Sequence, residues 1–448
     1  MNLILQIYDN VSNNMGIMLL IALFIYIACI IVLRRRIISP FEPVHIQIIY
    51  LAFAGSWLAY YLSEVNKSLV ILTLFYFEFL LIFLLTYRSK ICFDSRILYR
   101  RNLLMSNPAY NVFFAICVSI VLINSIAVMY ASGFQVAGGL EMGERLLLLK
   151  KYKILTYLEP PAASFLSVFL YMARSRSSRF LVVLSIIMYG IKQFFLGSKA
   201  AILMPFMFIA ASFFLYKLDK ITAGEIREVK IFWASRLYVL VLFGGTTLLG
   251  ITMLLISKYV GVDLSRSLSL FVSRLLLSYD HFHYIIQDDY LSKPGITTYS
   301  MLLSYSSLIL KPLGLISHLP YDNIGEYIGE NLLGFDFSQG NNRYLTFPNS
   351  HFALELIFSY GTLISLLLFP FAIYCLFRML NFFESVRYDS LLTFAGANFL
   401  LINPFLLLND GASFVFNCIG LLIIYIMSLF VANLFRIGSE DALKKFYI

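Results

Sequence analysis

Three stretches of the chain hold side chains whose types and spacing can do chemistry. In "FPNSHFALELIF", Pro348, Asn349, Ser350 and His351 precede an apolar run, and Glu355 follows four residues on. Asn349 or Ser350 suits the cap of a helix opening there, which would set His351 and Glu355 on one face of its first turns. A carboxylate beside an imidazole fixes its tautomer and raises its basicity, as a general base near neutral pH requires. A first-turn Glu is also favoured by the helix dipole alone, so the pair has a purely structural reading as well.

In "KQFFLGSKAAILMP", Gly197 and Ser198 interrupt two apolar segments. Ser198 is a natural N-cap for a helix starting at Lys199. Free backbone N–H groups, the positive dipole end and an ammonium then meet at one spot, which favours phosphate. The alternative is a short polar turn whose lysine meets lipid headgroups. In "LSRSLSLFVSRLLLSYDHFHYIIQDD", Arg274, Ser278 and His281 share one helical face, and Leu268, Phe271 and Leu275 form part of an apolar side. An interfacial arginine can clasp a phosphate bidentately, although an ordinary membrane-surface arginine fits equally. His281 and His283 with Asp280 could ligate zinc, but no further ligand has a recognisable spacing. Arg343 lies in the same connection and joins His281, Lys192, Ser198, Asn349, Ser350 and Glu355 as a candidate substrate-binding residue.

The elements that must position these residues are membrane spans. Hydrophobic residues make up 60% of the chain and charged residues 13%, and mean hydropathy is +0.82; too little charge is left for the surface of a soluble domain. The apolar runs predict an all-α polytopic membrane protein, a single integral domain over residues 1–448, with eleven spans at roughly 16–33, 44–62, 69–87, 110–129, 154–172, 180–196, 200–216, 237–256, 352–377, 391–408 and 414–435. The N-terminus lacks a signal-peptide pattern, so the first span is expected to remain as an anchor. Of the five cysteines only Cys92 falls outside a span, and that on the inner side, so no disulfide framework is expected. Lys192 is the lone basic residue within a span, and Glu78 is a carboxylate near the middle of one; each should face the bundle interior.

Basic residues set the orientation. Arg34 to Arg36, Arg88, Arg100, Arg101, Arg174, Arg179, Lys217, Lys220, Arg378, Arg387 and Arg436 all fall in one alternate set of connections. The positive-inside bias places that set in the cytoplasm, with the N-terminus outside and the C-terminus inside. Attraction to anionic lipid accounts for the net charge of +9 without nucleic acid. A long connection, 257–350, is then external. It holds nine tyrosines and several apolar clusters, so it is expected to form short interfacial helices on the membrane surface. Tyrosine offers an apolar face to a sugar ring and a hydroxyl for hydrogen bonds.

On these residues the chain resembles bacterial O-antigen polymerases of the Wzy type and the related O-antigen ligases. "PNSHFALELIFSYGTLISLLLFPF" resembles the histidine motif closing their long periplasmic loop, and "FLGSKAAILMP" resembles their basic turn between two spans. Lys199 stands where the ligases carry Arg, and Ala200 where Gly is common. The resemblance implies a metal-independent, inverting glycosyltransferase of the bacterial inner membrane, without a cofactor. Its donor would be an undecaprenyl-diphosphate-linked glycan in the outer leaflet, and a chain-length regulator protein is a possible partner. His351 would match the base, Lys199 the turn's cation and Arg274 the loop arginine near the diphosphate. A ligase acting on the lipid A core, or a flippase for lipid-linked oligosaccharide, are the alternatives.

Overall fold

The computed structural model describes residues 2–39, 41–63, 65–88, 93–133, 153–196, 200–226, 280–292, 300–310, 315, 327, 351–409 and 411–437. Among them the chain forms α1 (Asn2–Leu33), α2 (Val44–Tyr60), α3 (Lys67–Thr86), α4 (Ile97–Met105), α5 (Pro108–Ala131), α6 (Lys153–Ser164), α7 (Leu166–Met172), α8 (Arg176–Phe195), α9 (Ala200–Thr222), α10 (Asp280–Gln287), α11 (Met301–Leu310), α12 (Phe352–Tyr360), α13 (Thr362–Val386), α14 (Leu391–Ile402), α15 (Leu406–Asn409) and α16 (Gly411–Ile437). No strand occurs among the described residues.

Gly16–Leu33, Lys67–Thr86, Pro108–Ala131, Thr362–Val386 and Ser413–Phe435 are long and apolar enough to cross a membrane; Val44–Tyr60 and Leu391–Ile402 are shorter apolar helices. The outward faces are as apolar as the interior, with Phe24, Leu81, Phe371 and Phe430 exposed. That pattern suits a lipid surround, because water would penalise it.

Several expected spans are broken. The stretch 154–172 divides at Phe165 into α6 and α7, one turn after the consecutive prolines Pro160 and Pro161 have removed two helical N–H donors. The stretch 391–408 divides after Ile402, where Asn403 and Pro404 interrupt it. The stretch 352–377 divides at Gly361, so the membrane-length helix there is α13 and the histidine motif belongs to a separate short helix. Gly361 sits at φ +77°, ψ 166°, a region that only glycine reaches cheaply. An added Cβ would meet nothing within 4 Å, so torsion and not space demands glycine. The expected span 237–256 lies outside the described residues.

The helices gather into two apolar cores. One joins α1, α2, α3, α12 and α13 around Trp57, Phe83, Phe358 and Phe377. The other joins α5 through α9 with α14 and α16 around Phe113, Phe169, Phe214 and Phe394. Charged side chains bind the helix ends on one side of both. Arg88, just past the end of α3, bonds Glu42 before α2 and Glu384 in α13. Tyr87 also donates to Glu42, whose other oxygen accepts from the Ile38 N–H at 2.8 Å. Arg88 has φ +40°, a left-handed conformation held by those two carboxylates. Arg36 donates to the carbonyls of Leu84 at 2.6 Å and Tyr87 at 3.2 Å, so the end of α1 caps the end of α3. In the second core, fully buried Asp219 accepts from Arg387, Arg101, Tyr171 and Tyr388.

A buried carboxylate stripped of its cation is far more costly than an exposed one. Arg88→Ala should lower stability by about 3–5 kcal/mol, since it strands two carboxylates. Arg100→Ala, at a partly exposed pairing with Asp94 and Asp389, should cost under about 1 kcal/mol. Denaturant unfolding of the detergent-solubilised protein measures both.

Candidate functional site

α12 and α13 form a tight helical hairpin about Gly361. The Phe369 ring, eight residues beyond the bend, lies 6.5 Å from the His351 ring and 6.3 Å from Phe352. At 1.5 Å per residue, His351 therefore stands about 13 Å from the bend. α3 and α13 have their ends opposite Gly361 in the arginine network, so α12 begins deep in the bundle and rises to the far side. Its N-terminus opens into a recess lined by Leu51, Leu72, Phe75, Phe79, Phe282 and Phe369.

His351 is itself the N-cap. At φ −119°, ψ 131° its backbone is extended, and Nδ1 accepts from the Ala353 N–H at 3.3 Å. Asn349 and Ser350, the expected caps, lie outside the described residues. The cap assigns the ring's lone pair to Nδ1 and hence its proton, in the neutral form, to Nε2. By area His351 is half-buried, but its ring sits among apolar side chains, and that burial pushes the imidazole down to about 4.

The expected pairing of His351 with Glu355 is not formed. His351 takes the cap conformation instead of a helical one, and its Nδ1 is occupied by the Ala353 N–H. Glu355 is fully buried and accepts instead from the Tyr305 hydroxyl of α11. Sequence reasoning missed Tyr305, which lies fifty residues away and belongs to no local pattern.

Lys192 does not meet Glu78. Its ammonium, 2% exposed, pairs with Glu159 of α6, and Asn124 of α5 donates to the same carboxylate at 2.7 Å. The Tyr189 ring lies 4.5 Å from the ammonium. A buried ammonium must have an anion beside it, so Lys192 is a pairing residue here and is not presented to an outside phosphate. The signal was in the sequence: Glu159 lies within the apolar stretch 154–172, directly before Pro160 and Pro161.

Lys199, Ser198, Arg274 and Arg343 lie outside the described residues, as does the side chain of His281, whose backbone belongs to α10. α10 departs from the expected surface helix. Phe282, Ile285 and Ile286 are buried in the first core, and its end is tied to the start of α3. The Ser68 N–H donates to Asp289 at 2.8 Å, and Ser68 Oγ accepts from Leu291 N–H at 2.9 Å. Asn66, the N-cap of α3, donates to the Ile286 carbonyl. No metal-ligating group of three His, Cys, Asp or Glu occurs among the described residues. No family model matches the chain, and neither a curated protein nor a solved structure matches it.

Two measurements follow from this geometry. An imidazole held below its usual 6.5 binds fewer protons folded than unfolded between the two values. The stability from keeping it neutral is thus present above about 6.5 and fades as pH falls towards 4. The parent protein should lose stability relative to His351→Gln across that interval, and parallel curves would show that the ring is solvated. Lys192→Met should destabilise strongly by stranding Glu159, by about 3–5 kcal/mol. Adding Glu159→Gln should recover a large part of that loss, read as non-additivity in a double-mutant cycle.

Proposed function

We propose that the chain is a repeat-unit polymerase of the bacterial inner membrane. It would join undecaprenyl-diphosphate-linked oligosaccharides into a surface polysaccharide at the periplasmic face. The finer topology belongs to this reading: eleven spans, the arginine-rich end in the cytoplasm, the N-terminus outside, and 257–350 as the periplasmic connection. What supports it most is one observation. The histidine of the motif caps a short buried helix that begins inside the bundle and rises to the end opposite the basic residues. Spanning the membrane requires no such helix.

In this reading His351 takes the proton from an acceptor sugar hydroxyl. The oxygen attacks the anomeric carbon of the donor, the bond from that carbon to the diphosphate oxygen breaks, and configuration inverts. The leaving undecaprenyl diphosphate keeps the electron pair, and Lys199 and Arg274 stabilise its charge. Before it can act, Nδ1 must release the Ala353 N–H. A diphosphate anion nearby would raise the proton affinity of an imidazole that burial otherwise holds low. Binding of the donor would thereby make it a base. Lys192 takes no part in this scheme.

His351→Ala, at unchanged protein level, should abolish polymer and leave surface lipopolysaccharide with single repeat units. Full-length chains from that strain would overturn the catalytic role. In a deletion strain, single attached repeats identify a polymerase, and complete loss of attached repeats identifies a ligase.

A further inference from the structure

Two helices of the chain meet through matched pairs of residues. Glu355 and Ser359 stand one turn apart on α12, and Met301 and Tyr305 stand one turn apart on α11. The Tyr305 hydroxyl donates to the Glu355 carboxylate, and the Met301 N–H donates to Ser359 Oγ at 3.0 Å. The earlier residue of each pair meets the later residue of the other, so the helices run antiparallel with two rungs about 6 Å apart. α16 closes the junction. A Cβ at Gly411 would collide with the Tyr305 hydroxyl and stand 2.6 Å from a Glu355 oxygen, so any larger residue there displaces the Tyr305–Glu355 contact. On the α11 side, Ser304 and Ser307 are buried while Leu302 and Leu303 face outward. α11 thus has a polar inner edge, and two hydrogen bonds join it to α12 while Met301 packs against the first core.

We propose that Tyr305 is a positioning residue: through Glu355 it clamps α11 onto α12, the helix that His351 caps, and so holds that helix and its histidine in place. This rests on the functional reading above, and it reassigns Glu355 from substrate contact to support. Glu355 is fully buried, so loss of the phenol removes a charge-assisted hydrogen bond at a place where water cannot readily substitute. Loss of a hydrogen bond to a buried charged group shifts the docked-to-undocked equilibrium of α11 by about tenfold or more.

The test pairs a geometric readout with a catalytic one. Cysteines introduced as Met301→Cys and Ser359→Cys should cross-link rapidly in membranes under mild oxidation, counted by mass spectrometry of the linked peptide. Adding Tyr305→Phe or Gly411→Ala should slow the cross-link about tenfold. Adding Glu355→Gln, whose amide oxygen still accepts from Tyr305, should preserve it. In chains with the native Met301 and Ser359, Tyr305→Phe should lower kcat for extension of a lipid-diphosphate-linked repeat unit several-fold at unchanged protein level. Combining it with Glu355→Leu should add nothing further. An unslowed cross-link in Tyr305→Phe overturns the clamp. A slowed cross-link with parental kcat overturns the positioning role. A parent that extends no such substrate overturns the functional reading, and the positioning role with it, while the cross-link still reports on the clamp.

Discussion

A lone charge inside an apolar helical bundle is prohibitively costly, and that constraint organises the polar interior of this protein. Asp219 and Arg387 are both fully buried, and they are tolerable because they face each other, with Arg101, Tyr171 and Tyr388 as further partners of the carboxylate. Arg88 is enclosed by Glu42 and Glu384 on the same principle, and Lys192 by Glu159. Each pairing joins residues of different helices or of the connections at their ends. The electrostatic requirement therefore fixes which helices are neighbours, something that apolar contact alone specifies weakly in lipid.

The pairings are distributed unevenly along the bundle. One end is locked by Arg36, Arg88, Arg101 and Arg387, which tie α1, α2, α3, α4, α9 and α13 together. The joints of the long connection are hydrogen bonds instead. Asn66 and Ser68 fasten α10 to α3, and Tyr305 and Ser359 fasten α11 to α12.

Helix breaks do the complementary work. Gly361 turns what reads as one span into a rising helix and a descending one, and the rising one begins at the histidine. Pro160 and Pro161 precede the break at Phe165 and lie beside Glu159, so a backbone irregularity and a buried charge occur together. Irregular backbone at such depth is tolerated where surrounding protein, not lipid, receives it.

Much of this was legible from the residues alone. Hydropathy marks the long helices, because burial of twenty apolar residues in lipid is a local property of the segment. α3, α5 and α16 appear where the apolar runs place them, and Arg36, Arg88, Arg101 and Arg387 of alternate connections gather at one end. Other features depended on tertiary structure. The i, i+4 rule presumed that His351 was helical, whereas it takes the cap conformation and its Nδ1 accepts from the Ala353 N–H. The partners of Lys192 and Glu355 lie 33 and 50 residues away in the chain. Helical periodicity reports which face a residue occupies on its own helix and carries no information about what another helix brings to that face. The charge pairs and the clamp on α12 were settled only when the helices packed.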